Sequence, residues 1–340
     1  MRTHSYTLLL ALALLLPLTS VAARGVPEAD ENSITLYSGR GESLVQPLVE
    51  QFEAATGITV HVRYGGTAEL AVLLQEEGSR SPADLFWGQD GGALGALVLS
   101  GLLQELPQDM FTGIPSIYRN STGSWVATSG RARVLAYDPR TVSEAELPAS
   151  IFDLTQPQYR GRVAWAPTNG SLQAFVTAMR VVHGDDATQQ WVEGMIANDV
   201  QIYRNNTAII EAIGAGEIDM GITNNYYLLR FRAADPSFPV EQVFFAPGDI
   251  GNLVNVAGAG ILKTAANRQG AEEFIRFLLS PAAQQYVTDE IYEYPVRDTV
   301  EMNPLLAPYD ELLELSPAVD IDALEDLEGT LALLRRAGAL

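Results

Sequence analysis

ITLYSGRGESLVQPLVEQFEAATGITVHVRY, residues 34–64, is the stretch whose reading decides the fold. Ile34–Ser38 is a short run suited to a strand. Leu44 to Ala55 carries apolar residues at 44, 45, 48, 49 and 52, the stripe of an amphipathic helix. Gly57 follows, where helices favour a residue free to turn left-handed. Ile58–Tyr64 alternates with period two, as a strand does. The alternation then continues. Ala68–Glu77 predicts a second helix stopped by Gly78, Ala83–Trp87 a third strand, and Ala93–Leu99 a third helix. Strand and helix in strict alternation predict a parallel sheet covered by helices on both faces.

Further along, Trp125–Thr128 and Arg133–Tyr137 read as two strands leaving this first lobe. Arg162–Trp165, Gln201–Tyr203 and Ile218–Ile222 read as strands of a second α/β unit, with helices near Ser171–Val182, Ala187–Ile196 and Ala208–Ile213. Phe244–Phe245 and Leu253–Val256 lead back to the first lobe. Ala265–Leu279 is strongly amphipathic, Pro281 starts another helix, and 304–340 reads as helical with acidic turns. No internal repeat or low-complexity linker is visible. A chain of 340 residues has room for about two domains. The expected division is an N-lobe of 32–115 with 256–305 and a C-lobe of 116–255 with 306–340. Two such lobes joined by extended crossings leave a cleft, and ligands of such sheets sit beyond the carboxyl ends of the strands.

Composition narrows the function. With 42 Asp+Glu against 21 Lys+Arg the formal charge is −21. That argues against a nucleic-acid partner, which would need a basic face. The absence of cysteine excludes disulfides, zinc–thiolate sites, iron–sulfur clusters and a thiol nucleophile. Residues 1–23 combine Arg2, an apolar run from Leu8 to Leu18 and small residues at Ser20–Ala23, and no acidic residue precedes Glu28. This is the pattern of a cleaved signal peptide, too short to span a membrane. A periplasmic protein is expected.

Enzyme signatures are lacking. Beyond the leader the histidines are His61, inside a strand, and His183, at a helix end, and both suit structural roles. There is no G-x-S-x-G elbow, Walker A loop or H-E-x-x-H. Asp320-Ile321-Asp322 begins like an EF-hand loop, but Glu325 and Leu331 occupy its turn-glycine and closing-glutamate positions. The informative stretch is Gly216-Glu217-Ile218-Asp219-Met220-Gly221-Ile222-Thr223-Asn224-Asn225-Tyr226-Tyr227. Ile218, Met220 and Ile222 alternate as a buried strand, Asn224 is a candidate N-cap, and a helix follows. Tyr226 and Tyr227 thus fall at a strand-to-helix junction, where a turn of the backbone lets both phenols aim at one point. A phenol of pKa near 10 ionises at neutral pH only beside strong positive charge, such as a hard trivalent cation. Fe(III) prefers anionic oxygen ligands. The alternative is a packed aromatic pair.

The chain resembles the bacterial periplasmic ferric-iron-binding proteins, the solute receptors of iron(III) ABC transporters. The resemblance is carried by Leu36–Arg40, Glu76–Asp84, Ser129–Arg133, Ala166–Thr168, Gly216–Asp219, Asn224–Tyr227 and Glu293–Pro295. It implies a type II periplasmic-binding-protein fold of two α/β lobes, hinge and cleft, no catalysis, and an inner-membrane ABC permease as partner of a monomer. It also implies Tyr226 and Tyr227 as Fe(III) ligands and a synergistic anion, carbonate or phosphate, held by Asn169, Gly170, Ser171, Asn206, Asn224, Arg131 and Arg40, with Arg133 nearby. The chain departs from the family where its N-lobe histidine and glutamate ligands fall, at Gly41 and Gln89. Asp90, Gln89, Tyr37 and Tyr64 are therefore candidates for the remaining metal positions or their surroundings. Two other readings stand beside this one: the same fold binding an organic or oxyanion solute such as a polyamine or sulfonate, or an exported enzyme on this scaffold.

Overall fold

The computed structural model describes residues 32–115, 118–297 and 300–340; the leader read at 1–23 lies outside the described residues. The opening stretch folds as β1 (Ser33–Ser38), α1 (Glu42–Thr56), β2 (Thr59–Tyr64), α2 (Thr67–Glu77), β3 (Leu85–Gly88) and α3 (Gly91–Leu99). β1 pairs in parallel with both β2 and β3. The apolar stripe of α1, Leu44, Val45, Leu48, Val49 and Phe52, is buried against this sheet, and Gly57 ends the helix at φ 75°. Thr67 pins the loops at the carboxyl ends of the three strands. Its hydroxyl donates to the Gly39 carbonyl at 2.9 Å and accepts from the Gln89 N–H at 3.3 Å.

The next strand departs from the sequence reading. Instead of two strands there is one, β4 (Val126–Tyr137), twelve residues long and irregular only between Ala127 and Ser129. The second unit comprises β5 (Val163–Trp165), α4 (Gly170–His183), α5 (Asp185–Ala197), β6 (Gln201–Ile202), α6 (Asn206–Ala215), β7 (Met220–Asn224), α7 (Asn225–Ala234) and β8 (Glu241–Val243). β8 ends just before Phe244–Phe245. β9 (Val254–Ile261) returns to the first unit, followed by α8 (Arg268–Leu278) and α9 (Pro281–Tyr286). The tail carries α10 (Tyr309–Leu315) and α11 (Leu327–Arg336).

The strand order is β2-β1-β3-β9-β4-β7-β5-β6, with β8 also on β4. β4 joins the two halves. Residues 126–132 pair with β9 and 133–137 with β7, both antiparallel. Arg131 and Arg133 flank this change of partner, so sheet topology brings them to the seam. Two cores lie on either side, one around Phe52, Phe86 and Phe274, the other around Trp165, Phe175 and Trp191. Among the described residues no helix is long and apolar enough to cross a membrane.

Candidate functional site

The seam between the two cores gathers buried polar groups. α7 starts directly from β7, with Asn224 at the cap position but no side-chain cap bond; its amide donates to Ser171 Oγ at 3.2 Å instead. Tyr226 and Tyr227 therefore lie inside the first turn of α7, not at a loose junction. Helical side chains lean toward the N-terminus, and the two rings stack, centroids 4.2 Å apart at 28°. Both rings belong to the buried core of the first unit, at its edge on the seam. Tyr227 lines the cleft. The Tyr226 hydroxyl is fully buried, has no hydrogen-bond partner among the described residues, and lies within electrostatic reach of Tyr227, Glu293, Arg131 and Arg40. Burial first, then Tyr227 and Glu293, push the Tyr226 phenol well above its ordinary range, against the pull of the two arginines. It is thus a neutral phenol until a strong cation arrives.

The arginines come from two places, the loop after β1 and strand β4. Arg40 follows β1 and forms a buried ion pair with Glu293 at 2.9 Å, its guanidinium 5.5 Å from the Trp87 ring centre. Ser129 Oγ also donates to Glu293. Arg131 donates to the Gln89 carbonyl. Arg133 donates to the Ser171 carbonyl at 2.7 Å and lies over Phe175. Burial and the neighbouring Arg131 cation lower the Arg133 pKa to about 9. Each guanidinium keeps at least one buried nitrogen without a partner: Arg40 Nε, Arg131 Nε and Nη1, and Arg133 Nη1. Asn206 Nδ2, Asp90 Oδ2 and Glu293 Oε1 are likewise buried and unpartnered. Buried polar atoms are normally satisfied, so their concentration at one seam marks a place built for a polar ligand.

The α4 N-terminus faces this group. Asn169 caps it, its Oδ1 accepting from Ser171 N at 3.0 Å and Ser171 Oγ at 2.7 Å. That occupies the oxygen, and Ser171, Leu172 and Gln173 all donate their N–H groups to Asn169, leaving the Asn169 amide and the Gly170 N–H for an anion. Gly170 meets the opposite lobe: a Cβ there would lie 3.0 Å from both Asp90 Oδ2 and Thr67 Cβ. Asp90 itself caps α3 through Oδ1 and Ala93 N at 2.8 Å.

Not every expected residue arrives. Tyr37 is a correction. Its hydroxyl donates to Glu77 at 3.1 Å and accepts from Arg63 at 3.4 Å, on the α2 side of the sheet. The Tyr64 hydroxyl is held by Gln46 at 3.1 Å, while the residue lines the outer cleft. Gln89 contributes its backbone at the seam and also lines the cleft. Three residues near the site were given no role from the sequence: Glu293, read only within the Glu293–Pro295 segment that carries the resemblance, and the cleft-lining Arg204 and Arg230. Among the described residues no three His, Cys, Asp or Glu side chains cluster.

Comparison with known proteins bears on this geometry. The family profile of bacterial extracellular solute-binding proteins matches residues 47–311. A Serratia marcescens protein named as an Fe(3+)-binding periplasmic protein is 32% identical over 313 residues, covering 91% of each chain. The crystal structure of iron-bound HitA from Pseudomonas aeruginosa superposes with a TM-score of 0.85 at 32% identity, covering 90% of this chain and 99% of that one. A Trichodesmium protein solved with iron and citrate ligands gives a TM-score of 0.73 at 29% identity, covering 90% of this chain and 99% of that one.

Proposed function

The chain belongs to the bacterial extracellular solute-binding protein family and has its type II periplasmic-binding fold, and from that premise we propose that it is a periplasmic receptor that captures Fe(III) and delivers it to an ABC permease. One observation carries the reading: two adjacent phenols at the start of α7, one with a buried unpartnered hydroxyl, lie beside Arg40, Arg131 and Arg133 at the seam. Tyr226 and Tyr227 hold the metal as phenolates. The trivalent charge removes their protons, and the positive end of α7 favours the anions that result. A synergistic carbonate or phosphate sits on the α4 N-terminus, held by Gly170, Ser171, Asn206, Asn224 and Arg131, with Asn169 offering its amide. Arg40 and Asp90 approach from the N-lobe, taken as 32–115 with 256–305. Closure upon the C-lobe, 116–255 with 306–340, presents the loaded surface to the permease by hinge motion.

The arginines also favour this reading over its rivals. A polyamine would need an anionic cleft, and this one is cationic. An oxyanion alone would suit the arginines but gives no reason for paired phenols. Iron-loading the purified protein with bicarbonate as sole anion should give a visible phenolate-to-iron charge-transfer band. The Tyr226→Phe/Tyr227→Phe variant should lose it. A band of equal intensity in the double variant refutes the ligand assignment.

A further inference from the structure

Glu293 is the buried acid of the seam to which the ferric reading gives no role. Its side chain is 0% exposed, and that of its partner Arg40 is 1% exposed. Unusual backbone places it. After α9 comes one π-helical turn, Val287–Ile291, and Tyr292 then lies in the left-handed region at φ 62°. Few residues with a side chain adopt that conformation, and both features concentrate at functional sites. Two ties hold the segment on β4. Gly130 and Tyr294 exchange backbone hydrogen bonds of 2.8 and 2.7 Å. The buried Gln284 amide donates to the Thr128 carbonyl at 2.8 Å, and its oxygen accepts from Val296 N–H at 2.7 Å.

The ion pair so placed is incomplete. Glu293 Oε2 accepts from Arg40 at 2.9 Å and also from Ser129 Oγ. Glu293 Oε1 and Arg40 Nε are buried without a partner among the described residues. A pair kept for stability alone would need those atoms satisfied, since desolvated charge otherwise costs more than the attraction gains. The Glu293 charge also reaches the Tyr226 phenol. Without this carboxylate, Arg40, Arg131, Arg133 and the α4 N-terminus would attract any oxyanion. With it, an anion arriving beside Tyr226 meets a like charge that protein surroundings screen only weakly. A trivalent ion reverses that effect, because the same carboxylate attracts it.

Resting on the ferric reading above, we propose that Glu293 is a specificity-determining residue that makes the site disfavour an oxyanion arriving without its metal. It compensates Arg40 and leaves one carboxylate oxygen free to repel the anion and attract the cation. Selection then rests on a built-in repulsion as well as on attraction.

The test titrates the whole mature protein, stripped of metal, with inorganic phosphate in a calorimeter. Fe(III) affinity is measured separately by competition against nitrilotriacetate, with bicarbonate as the anion. Glu293→Gln keeps the shape and removes the charge. Its phosphate affinity should rise at least about tenfold, while its Fe(III) affinity falls by about the same factor. A residue that only held the fold together would weaken both. Glu293→Asp and Ser129→Ala disturb the packing but keep the charge, so neither should gain phosphate affinity; these two carry the test where Glu293→Gln does not fold. A gain in either of them, or a folded Glu293→Gln variant with unchanged or weaker phosphate binding, overturns the inference and leaves the ferric reading intact. A parent protein that takes up no iron overturns both.

Discussion

Asp90 is pulled in two directions, and the conflict can be measured. Its Oδ1 caps α3, while its buried Oδ2 has no partner. Burial pushes the carboxyl up to about 6, although the α3 N–H of Ala93 and the Arg131 cation oppose this. The folded protein therefore holds this proton more tightly than the unfolded chain, where the value is 3.8. The associated stability is complete below about pH 4 and is lost as pH rises through about 6. At ~1.4 kcal/mol per unit the shift corresponds to roughly 3 kcal/mol, an upper bound for so buried a group. Asp90→Asn keeps the cap and removes the charge. Without ligand, the variant should be more stable than the parent by about 1–3 kcal/mol near pH 8 and equal to it near pH 4. Urea melts at the two pH values check this, and a gap of the same size at both would show that ionisation is not its source.

At the scale of elements, α3 shows what a helix loses to make room. Gly91, Gly92 and Gly95 each cost about 1 kcal/mol of helix propensity relative to alanine. The tail explains them. A Cβ on Gly92 would meet the Leu324 carbonyl oxygen at 2.7 Å, and one on Gly95 would meet Glu325 Cβ at 2.7 Å. The tail is anchored on the other lobe, where α11 meets α4 through Thr177–Thr330 at 2.7 Å and Arg180–Asp326 at 2.8 Å. It thus straps α3 to α4. Gly92→Ala should destabilise by about 1–3 kcal/mol despite its better propensity, because backbone must yield; a stabilised variant in urea melts would show a loose strap. The helix at Ala93–Leu99 was readable from the sequence, but the reason for its glycines was not, since the contacts lie over 200 residues away. The same limit explains β4. Ser129-Gly130 reads as a break between strands, yet pairing with β9 carries the strand through. Periodicity gave the first three strands and helices almost to the residue. It could not say toward which side the Tyr37 hydroxyl would turn, and there Glu77 and Arg63 took it. Nor could it bring Glu293 to Ser129, which are 164 residues apart. The tyrosine pair was legible because its chemistry is local to one helical turn.

For the molecule as a whole, the sign of its charge and the sign of its cleft disagree, and this gives a kinetic signature of the cargo. The chain carries a formal −21, while Arg40, Arg131, Arg133, Arg204 and Arg230 gather at one seam. The long-range field of the protein repels an anion; the arginines attract it only at short range. Between roughly 0.01 and 0.1 M ionic strength the Debye length shrinks from ~30 to ~10 Å, so salt removes the distant repulsion before it reaches the pairs inside the cleft. The association rate of an anionic ferric chelate should therefore rise over this range, whereas that of a cationic ferric species, steered inward by the acidic surface, should fall. Stopped-flow quenching of tryptophan fluorescence reads both. Trp87, beside Arg40, is the natural reporter. An association rate for ferric citrate that falls with salt would mean that the cleft arginines, not the acidic surface, govern the approach.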